Sequence, residues 1–453
     1  MRITSLWLIT MLLIPLGCSS GKKNQASQPG RAISIEKISD DSLLTLVEYR
    51  TFQYFWDGAE PNSGMARERY HVDGLYPESD MNIVTTGGSG FGLMAILAGV
   101  ERGFISRDEA YVRYSRIVDF LKKTDRFHGA WPHWINGETG KVKPFSPKDN
   151  GADIVETAYL MQGLLTVRQY LIKGTEKEKQ LAYEINNLWK EVEWNWFTKG
   201  GENVLYWHWS PNYGWDMNFP VRGYNECLIL YILAASSPTY PVKPEVYHEG
   251  WARSGAISRV SSQYDYTLVL SHNDNEKYGG PLFWAHYSYL GLDPRHLKDK
   301  YADYWQENKN QTLINWRWCS LNPGKFAGYS EECWGLTASY SINGYSAHAP
   351  GESNDLGIIS PTAALSSFPY TPEQSMKALK HFYYNLGNKI WGEYGFYDAF
   401  SEQNNWYPQR YLAIDQGPTV IMIENFRSGL LWNLFMSSEE IQDGLRSLGF
   451  KTE

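Results

Sequence analysis

Cysteine is scarce: the 453 residues contain four. Cys18 stands alone near the start, and Cys227, Cys319 and Cys333 form neither a CxxC pair nor a zinc-ligand spacing. No HExxH, GxSxG or Walker pattern occurs, and no dinucleotide fingerprint sits in a suitable context, so neither a catalytic metal nor a cofactor is expected. Beyond the N-terminal stretch no apolar run reaches the length of a membrane-spanning helix. Basic charge is in deficit: the net charge is −8 and no basic stripe is present, which argues against general nucleic-acid binding. A hydrophobic content of 43% excludes a disordered chain. Aromatic residues are in excess, with 19 Trp, 32 Tyr and 18 Phe. Their flat apolar faces and polar edges suit sugar rings, although the same residues also fill cores.

Residues 1–17 read as a signal peptide, with Arg2 as the charged start and an apolar run from Leu6 to Leu16. Leu16-Gly17-Cys18 resembles a bacterial lipoprotein cleavage box, which would make Cys18 the lipidated first residue; Pro15 is atypical for it. Residues 18–35 are a polar tether, and 36–453 are expected to form one domain. Ser19, Lys22 and Lys23 after the cysteine lack the acidic run of surface-exported lipoproteins. The expected location is therefore a periplasm-facing anchor, on the outer membrane. An export signal permits a Cys319–Cys333 disulfide, but three buried thiols are expected.

Helical signals dominate the body. Ser106/Glu109, Thr175/Glu178, Thr371/Gln374 and Ser437/Glu440 have the capping-box spacing, in which hydroxyl and acid or amide satisfy free N–H groups reciprocally. After the first box, Ala110, Tyr114, Ile117, Val118 and Leu121 make one apolar face. Residues 42–57 and 296–313 look similar. A second helix type is apolar all round: Phe91–Val100, Ile154–Val167, Cys227–Ala235 and Val420–Phe435, with shorter candidates at Cys333–Tyr340 and Pro361–Phe368. Six enclosed and about six one-faced helices in alternation predict an all-α (α/α)6 toroid with loop-rich insertions. The run Gly87–Gly92 reads as close backbone packing, and 260–280 as a region with a short hairpin.

Acids and amides cluster at the starts of the enclosed helices. Asp149, Asp153 and Glu156 open one, Arg222 to Glu226 the next; Glu331 and Glu332 precede Cys333, Glu352 and Asp355 precede Pro361, and Asp415 opens the last. An Asp N-cap is the ordinary way to start a helix. In a toroid, however, these starts converge on one mouth. Several carboxylates around a Trp-lined cavity suit glycoside hydrolysis, which needs one carboxylic acid for the leaving oxygen and one carboxylate as base or nucleophile. Asp153 and Glu156 share a helical face. A helix start lowers a carboxyl pKa, which suits Asp415 as a base. Glu226, just inside an apolar run, suits a protonated acid, with Arg222 one turn back opposing it. Trp131, His133, Trp134, Trp207, Trp209 and Trp215, in Gly/Pro/Asn-rich loops, are candidate sugar contacts, while Trp194/Trp196 and Trp316/Trp318 fit wall packing as well.

Three stretches carry a resemblance. They are Ser271-His272-Asn273-Asp274 through Gly280-Pro281-Leu282-Phe283 to Tyr287-Ser288; Gly351-Glu352-Ser353-Asn354-Asp355 through Ser360-Pro361-Thr362-Ala363-Ala364; and Gly395-Phe396-Tyr397-Asp398-Ala399-Phe400 with Asp415-Gln416-Gly417-Pro418 and Ile423-Glu424-Asn425. With them the chain after residue 36 resembles the glycoamylase-like family, and within it glycoside hydrolase family 144. The resemblance implies an (α/α)6 fold and inverting hydrolysis of β-1,2-glucan, endo-acting or sophorose-releasing. It implies Glu226 as acid and Asp415 as base, with Asp153, Glu156 and Asp149 as cleft acids. Arg222, Glu352 and Asp355 join the aromatic set as expected substrate contacts. The expected partner is an oligo- or polysaccharide, bound by a monomer that meets a membrane only through its lipid. The alternatives are an α-glucan exo-hydrolase (a glucoamylase) and a non-catalytic sugar-binding lipoprotein. A polysaccharide lyase would want a basic groove, which the charge balance disfavours.

Overall fold

Two kinds of helix build the body of the computed structural model, which describes residues 37–273 and 276–452. The expected signal peptide at 1–17, Cys18 and the tether at 18–35 lie outside the described residues. The one-faced helices are Asp40–Trp56, Arg107–Leu121, Glu176–Lys190, Pro372–Lys380 and Glu439–Ser447. Thr86–Glu101, Ile154–Leu171, Leu228–Ser236, Pro361–Leu365 and Ala413–Arg427 are enclosed nearly all round. A helix without a polar face must find protein on every side. Accordingly the enclosed helices pack on one another in ring order, and each is backed by a one-faced partner. The architecture is the (α/α)6 toroid. Its remaining inner position is filled by the short 3-10 turns Leu282–Ala285 and Tyr287–Tyr289, against Leu228–Ser236 and the long helix Tyr304–Leu321.

The crossing of Thr86–Glu101 and Ile154–Leu171 depends on two glycines. A Cβ on Gly90 would lie 2.2 Å from the Tyr159 carbonyl oxygen, and one on Gly163 would lie 2.1 Å from that of Gly90. Any side chain at either position would force the two inner helices apart.

Local signals and structure differ at instructive places. Cys333–Tyr340 is not an inner helix. Gly335 has φ +129°, and both backbone groups of Leu336 are taken by the Asn315 side chain, so the chain runs extended into the hairpin Ala338–Ser341/Gly344–Ala347. Val420–Phe435 is broken at Gly429, φ +70°, which separates Ala413–Arg427 from Leu430–Met436. The capping boxes at Ser106 and Thr175 form. Those at Thr371 and Ser437 do not: each hydroxyl bonds instead to a preceding carbonyl, of Ser367 and Leu434, and Glu440 is turned to Arg168. The helix expected over 296–313 begins at Tyr304, capped by Asp303, and is buried on more than one side. The hairpin in the 260–280 region pairs Ser258–Gln263 with Tyr266–Leu270. Cys227, Cys319 and Cys333 are buried and unbonded to one another. Among the described residues no helix is long and apolar enough to cross a membrane.

Small sheets hold the loops at the mouth. Ala152–Asp153 pairs antiparallel with His208–Trp209, which sets Asp153 opposite His208. The ladder Ile83–Thr85, Trp134–Asn136, Val142–Lys143 brings the chain before Trp134 to the same place.

Candidate active site

The starts of Ile154–Leu171 and Leu228–Ser236 open on a cavity of about 650 Å³. Its acids are Asp149 and Glu226, its basic groups His133, His208, Arg222 and Arg253, and its aromatic walls Phe145, Trp207, Phe219 and Trp284.

Asp153 organises one side. Its Oδ1 caps the helix by accepting the N–H groups of Val155 and Glu156, at 3.0 and 2.9 Å. Its Oδ2 accepts from His133 Nδ1 at 2.9 Å and Trp207 Nε1 at 3.0 Å. Burial would raise the Asp153 pKa, but the His133 bond and the charges of His133 and His208 outweigh it and hold the carboxyl below its usual range. Burial would lower His133, but the charges of Glu156 and Asp153 outweigh it and push the imidazole up to about 9. His133 is therefore a fixed cation, with its Nε2 3.9 Å from Glu156 and Phe145 stacked on its ring at 4.2 Å. Glu156, which accepts from the Gly87 N–H at 2.7 Å, is raised by burial and by Asp153. Asp149 is pushed up to about 7 by burial and the Asp153 charge; His208 Nε2 stands 3.4 Å from it.

Glu226 lies two residues before its helix, with its carbonyl held by Tyr159 and Ser288. Burial, then the nearby Glu156 charge, pushes its carboxyl up to about 7. Arg222 is exposed at the cavity wall and does not act on Glu226, so the opposition expected from one helical turn of separation is not realised.

Asp415 departs from expectation. It sits in the first turn of its helix, yet its pKa is raised well above the carboxylate range, first by burial and then by Asp398. Burial outweighs the helix start because the Asp415 carboxyl faces another acid rather than solvent. Asp415 donates a hydrogen bond to Asp398, which titrates at about 6 and accepts the Tyr340 N–H at 2.7 Å. The pair shares one proton and lines a void of about 10 Å³, room for one water. Tyr287 links the two halves: beyond burial, its phenol feels the charges of Asp415, Glu156 and Glu226. Tyr345, on the hairpin, has its phenol raised first by burial and then by Asp415 and Asp398.

His133, Asp149 and Asp153 offer three ligand atoms within 4.8 Å of one another. Both Asp153 oxygens already accept N–H bonds, one from an indole that cannot turn into an acceptor, so the trio fits proton sharing better than a cation. Cys333, His381 and Glu402 form another such trio among the described residues, and none of them lines the cavity.

The chain superposes on the endo-β-1,2-glucanase from Chitinophaga pinensis, solved with sophorotriose and glucose, with a TM-score of 0.91. The two are 66% identical, over 92% of this chain and 99% of that one. The chain belongs to the glycoamylase-like family. The Glycoamylase family model, described as a glucoamylase, matches residues 218–439. The exo β-1,2-glucooligosaccharide sophorohydrolase (non-reducing end) of Parabacteroides distasonis is 48% identical over 426 residues, 91% of this chain. The chain spans 58% of the length of that relative. The crystal structure of a β-1,2-glucanase from the same organism matches at 46% identity and a TM-score of 0.86, over 91% of this chain and 60% of that one.

In this glycoamylase-like site, Glu226, Asp149, His133, Trp207 and Arg222 line the open cavity, and Asp153 and Glu156 stand directly behind it. The other expected contacts are placed elsewhere. Trp131 is fully buried, its indole bonded to the Leu121 carbonyl under Arg126, so it is core. Trp134 packs edge-on against Phe145 and His133, with Arg69 over its ring. Trp209 is wedged against His128 and Trp196, and Trp215 faces a different cavity. Asp355 is buried and saturated, by Trp318 Nε1, the Tyr329 hydroxyl and the Gly357 N–H; it holds a loop together. Glu352 is exposed outside the cavity. Sequence reasoning missed Asp398, His208, Phe145, Phe219 and Trp284 as site residues. Asp398 had a signal, since it lies in the 395–400 motif. The rest are brought in only by loop packing.

Proposed function

We propose that this protein is an inverting glycoside hydrolase that cleaves β-1,2-linked glucan. The observation that carries the reading is a pair of differently tuned acid environments: Glu226 on the open cavity, and the Asp398–Asp415 pair on a small void, with Tyr287 close to both. Glu226 keeps its proton to about 7, while the Asp398–Asp415 pair loses one of its two at about 6. At a pH between these values Glu226 donates its proton to the glycosidic oxygen as the C1–O bond breaks. Water attacks C1 from the opposite face and gives its proton to Asp415, whose own proton passes to Asp398. Glu226 ends ionised, the pair ends neutral, and exchange with solvent resets both. His133 and Asp149 are on the polar wall that orients the sugar; Asp153 and Glu156 hold His133 from behind, and its charge offsets theirs. The substrate is supported by the β-1,2-glucan enzymes to which the chain is similar, one named as endo-acting and one as exo-acting.

The test is incubation of residues 19–453 with linear β-1,2-glucan and, separately, with maltooligosaccharides, reading products by chromatography. Sophorose or longer β-1,2 products support the reading, and their size pattern separates exo from endo action. Glucose from maltooligosaccharides alone would establish a glucoamylase instead. Binding without product would leave a sugar-binding protein. We also propose that the chain is anchored as a monomer by a lipid on Cys18, facing the periplasm from the outer membrane. The Leu16-Gly17-Cys18 box supports this, and loss of fatty-acid labelling in Cys18→Ala tests it.

A further inference from the structure

A second cavity, of about 690 Å³, lies outside the catalytic one and contains none of the acid or base residues. Its walls include Trp196, Trp215 and Val242, and its rim Asn195, Asn203 and Lys199. Trp196 is 39% exposed, and it is not loose. His128 stacks on it at 3.7 Å and 12°, Trp209 meets it edge-on at 6.2 Å, and His128 is itself held by Glu193 at 3.0 Å. Trp215 is propped by Phe197 and Tyr206 and stands 6.4 Å from Trp196, inclined at 32°. Neither indole N–H nor the Asn195 amide has a partner among the described residues, whereas the Asn203 amide donates to Glu249. Gly200 and Gly201, both at positive φ, face open space and keep one edge low.

A rigid aromatic pair, Trp196 exposed and Trp215 half-buried, with an unused amide and indole donors at its margin has the chemistry that binds a carbohydrate. The C–H face of a pyranose covers the ring, and its hydroxyls meet the donors. Three charged residues line it: Lys199 donates to Asn218, Glu202 accepts from Tyr206, and Lys243 stands beside Pro241 and Val242. The other lining residues, the Trp196/Trp215 pair among them, are uncharged, which suits a neutral glycan. One stretch of chain, 207–219, contributes to both cavities. In one antiparallel loop, Trp207 and Phe219 face the catalytic side, joined by the bond from Trp207 N to the Phe219 carbonyl, and Trp215 faces the other. Phe219 is 53% exposed at the catalytic cavity.

We propose that Trp196 and Trp215 form an accessory site that holds a distal stretch of the same β-1,2-glucan chain whose cleavable bond lies by Glu226. This rests on the hydrolase reading. A polymer long enough to engage both sites gains effective concentration at the cleft, and an oligosaccharide confined to the cleft gains none.

The experiment compares the wild-type chain with Trp196→Ala/Trp215→Ala, after matching their melting temperatures and circular dichroism. Trp196→Phe serves as the conservative variant. The expected result is a rise of about tenfold in KM for long β-1,2-glucan, with kcat and KM on a tetra- or pentasaccharide unchanged and partial recovery in Trp196→Phe. Equal KM for the polymer in wild type and double variant would overturn the proposal. So would an equal loss on polymer and oligosaccharide. In parallel, both chains in the Glu226→Gln background are run on native gels containing β-1,2-glucan, where retardation should weaken about tenfold in the double variant. Undiminished retardation, or none in either chain, would also overturn it. Failure of the wild-type chain to turn over the oligosaccharide would instead sink the hydrolase reading, with the gels still reporting on the accessory site.

Discussion

Replacing Glu226 with Gln should abolish turnover and, at alkaline pH, make the protein more stable. In the fold the Glu226 carboxyl titrates at about 7, against 4.5 for the free side chain. An unfolded chain ionises this group as pH passes 4.5; the folded chain must wait until about 7. Between the two the unfolded state is favoured progressively, and above about 7 the full penalty applies. A shift of about 2.5 units corresponds to roughly 3 kcal/mol, an upper bound because the residue is only partly buried. Gln keeps the shape and has no charge to desolvate. Glu226→Gln should therefore be up to ~3 kcal/mol more stable than wild type at pH 8, and the gain should shrink below about 1 kcal/mol at pH 5. For a chain of roughly 400 residues this is a rise in melting temperature of about 3 °C at pH 8. Differential scanning calorimetry at the two pH values measures it, and product chromatography measures the lost activity. A stability change of the same size at both pH values, or a less stable variant at pH 8, would refute the argument that this carboxyl is kept protonated by burial.

Four further outcomes can be checked. The wild-type rate should be bell-shaped in pH, falling below about 6 as the Asp398–Asp415 pair takes up its second proton and above about 7 as Glu226 ionises; a flat profile from 5 to 9 would count against these roles. Asp398→Asn should lower kcat at least about a hundredfold by leaving Asp415 without an acceptor for its proton, with KM little changed; near-normal kcat would remove Asp398 from the mechanism. His133 is raised from 6.5 to about 9, so its stabilisation is complete below 6.5 and lost as pH rises through about 9. His133→Gln should cost roughly 2–3 kcal/mol at pH 6 and much less at pH 10, read by thermal melts, and an equal cost at both would show that its charge is not involved. Asp355→Ala should destabilise the chain by roughly 2–4 kcal/mol in urea titrations while kcat and KM stay near wild type; a selective KM effect would restore it as a sugar contact.

Much of the toroid was legible because it follows from local periodicity. A helix apolar on all sides announces that it is enclosed, as Ile154–Leu171 and Leu228–Ser236 are, and the capping boxes at Ser106 and Thr175 satisfy their own N–H groups without outside help. The same local rules misread Cys333–Tyr340, where a distant Asn315 side chain takes the backbone groups of Leu336. The boxes at Thr371 and Ser437 failed in the same way, because other partners claimed the hydroxyls and the acid.

The site divides along the same line. The presence of Asp149, Asp153, Glu156, Glu226 and Asp415 at helix starts was written in the chain, because caps and first turns are local. Their chemistry was not. A pKa depends on what is packed around the group, and that is decided by residues far away in sequence. Its helix start marks Asp415 as a low-pKa base, but the fold sets Asp398 against it in a void with room for one water. Arg222 is four residues from Glu226 yet does not act on it, whereas Glu156 does. Trp131 and Trp207 looked alike in their loops, but one is core and the other bonds Asp153 at the cavity wall. The sequence by itself determined which helices exist and where acids and indoles occur. Only the tertiary structure decided which acids keep their protons and which rings face solvent, because desolvation and charge coupling act through space.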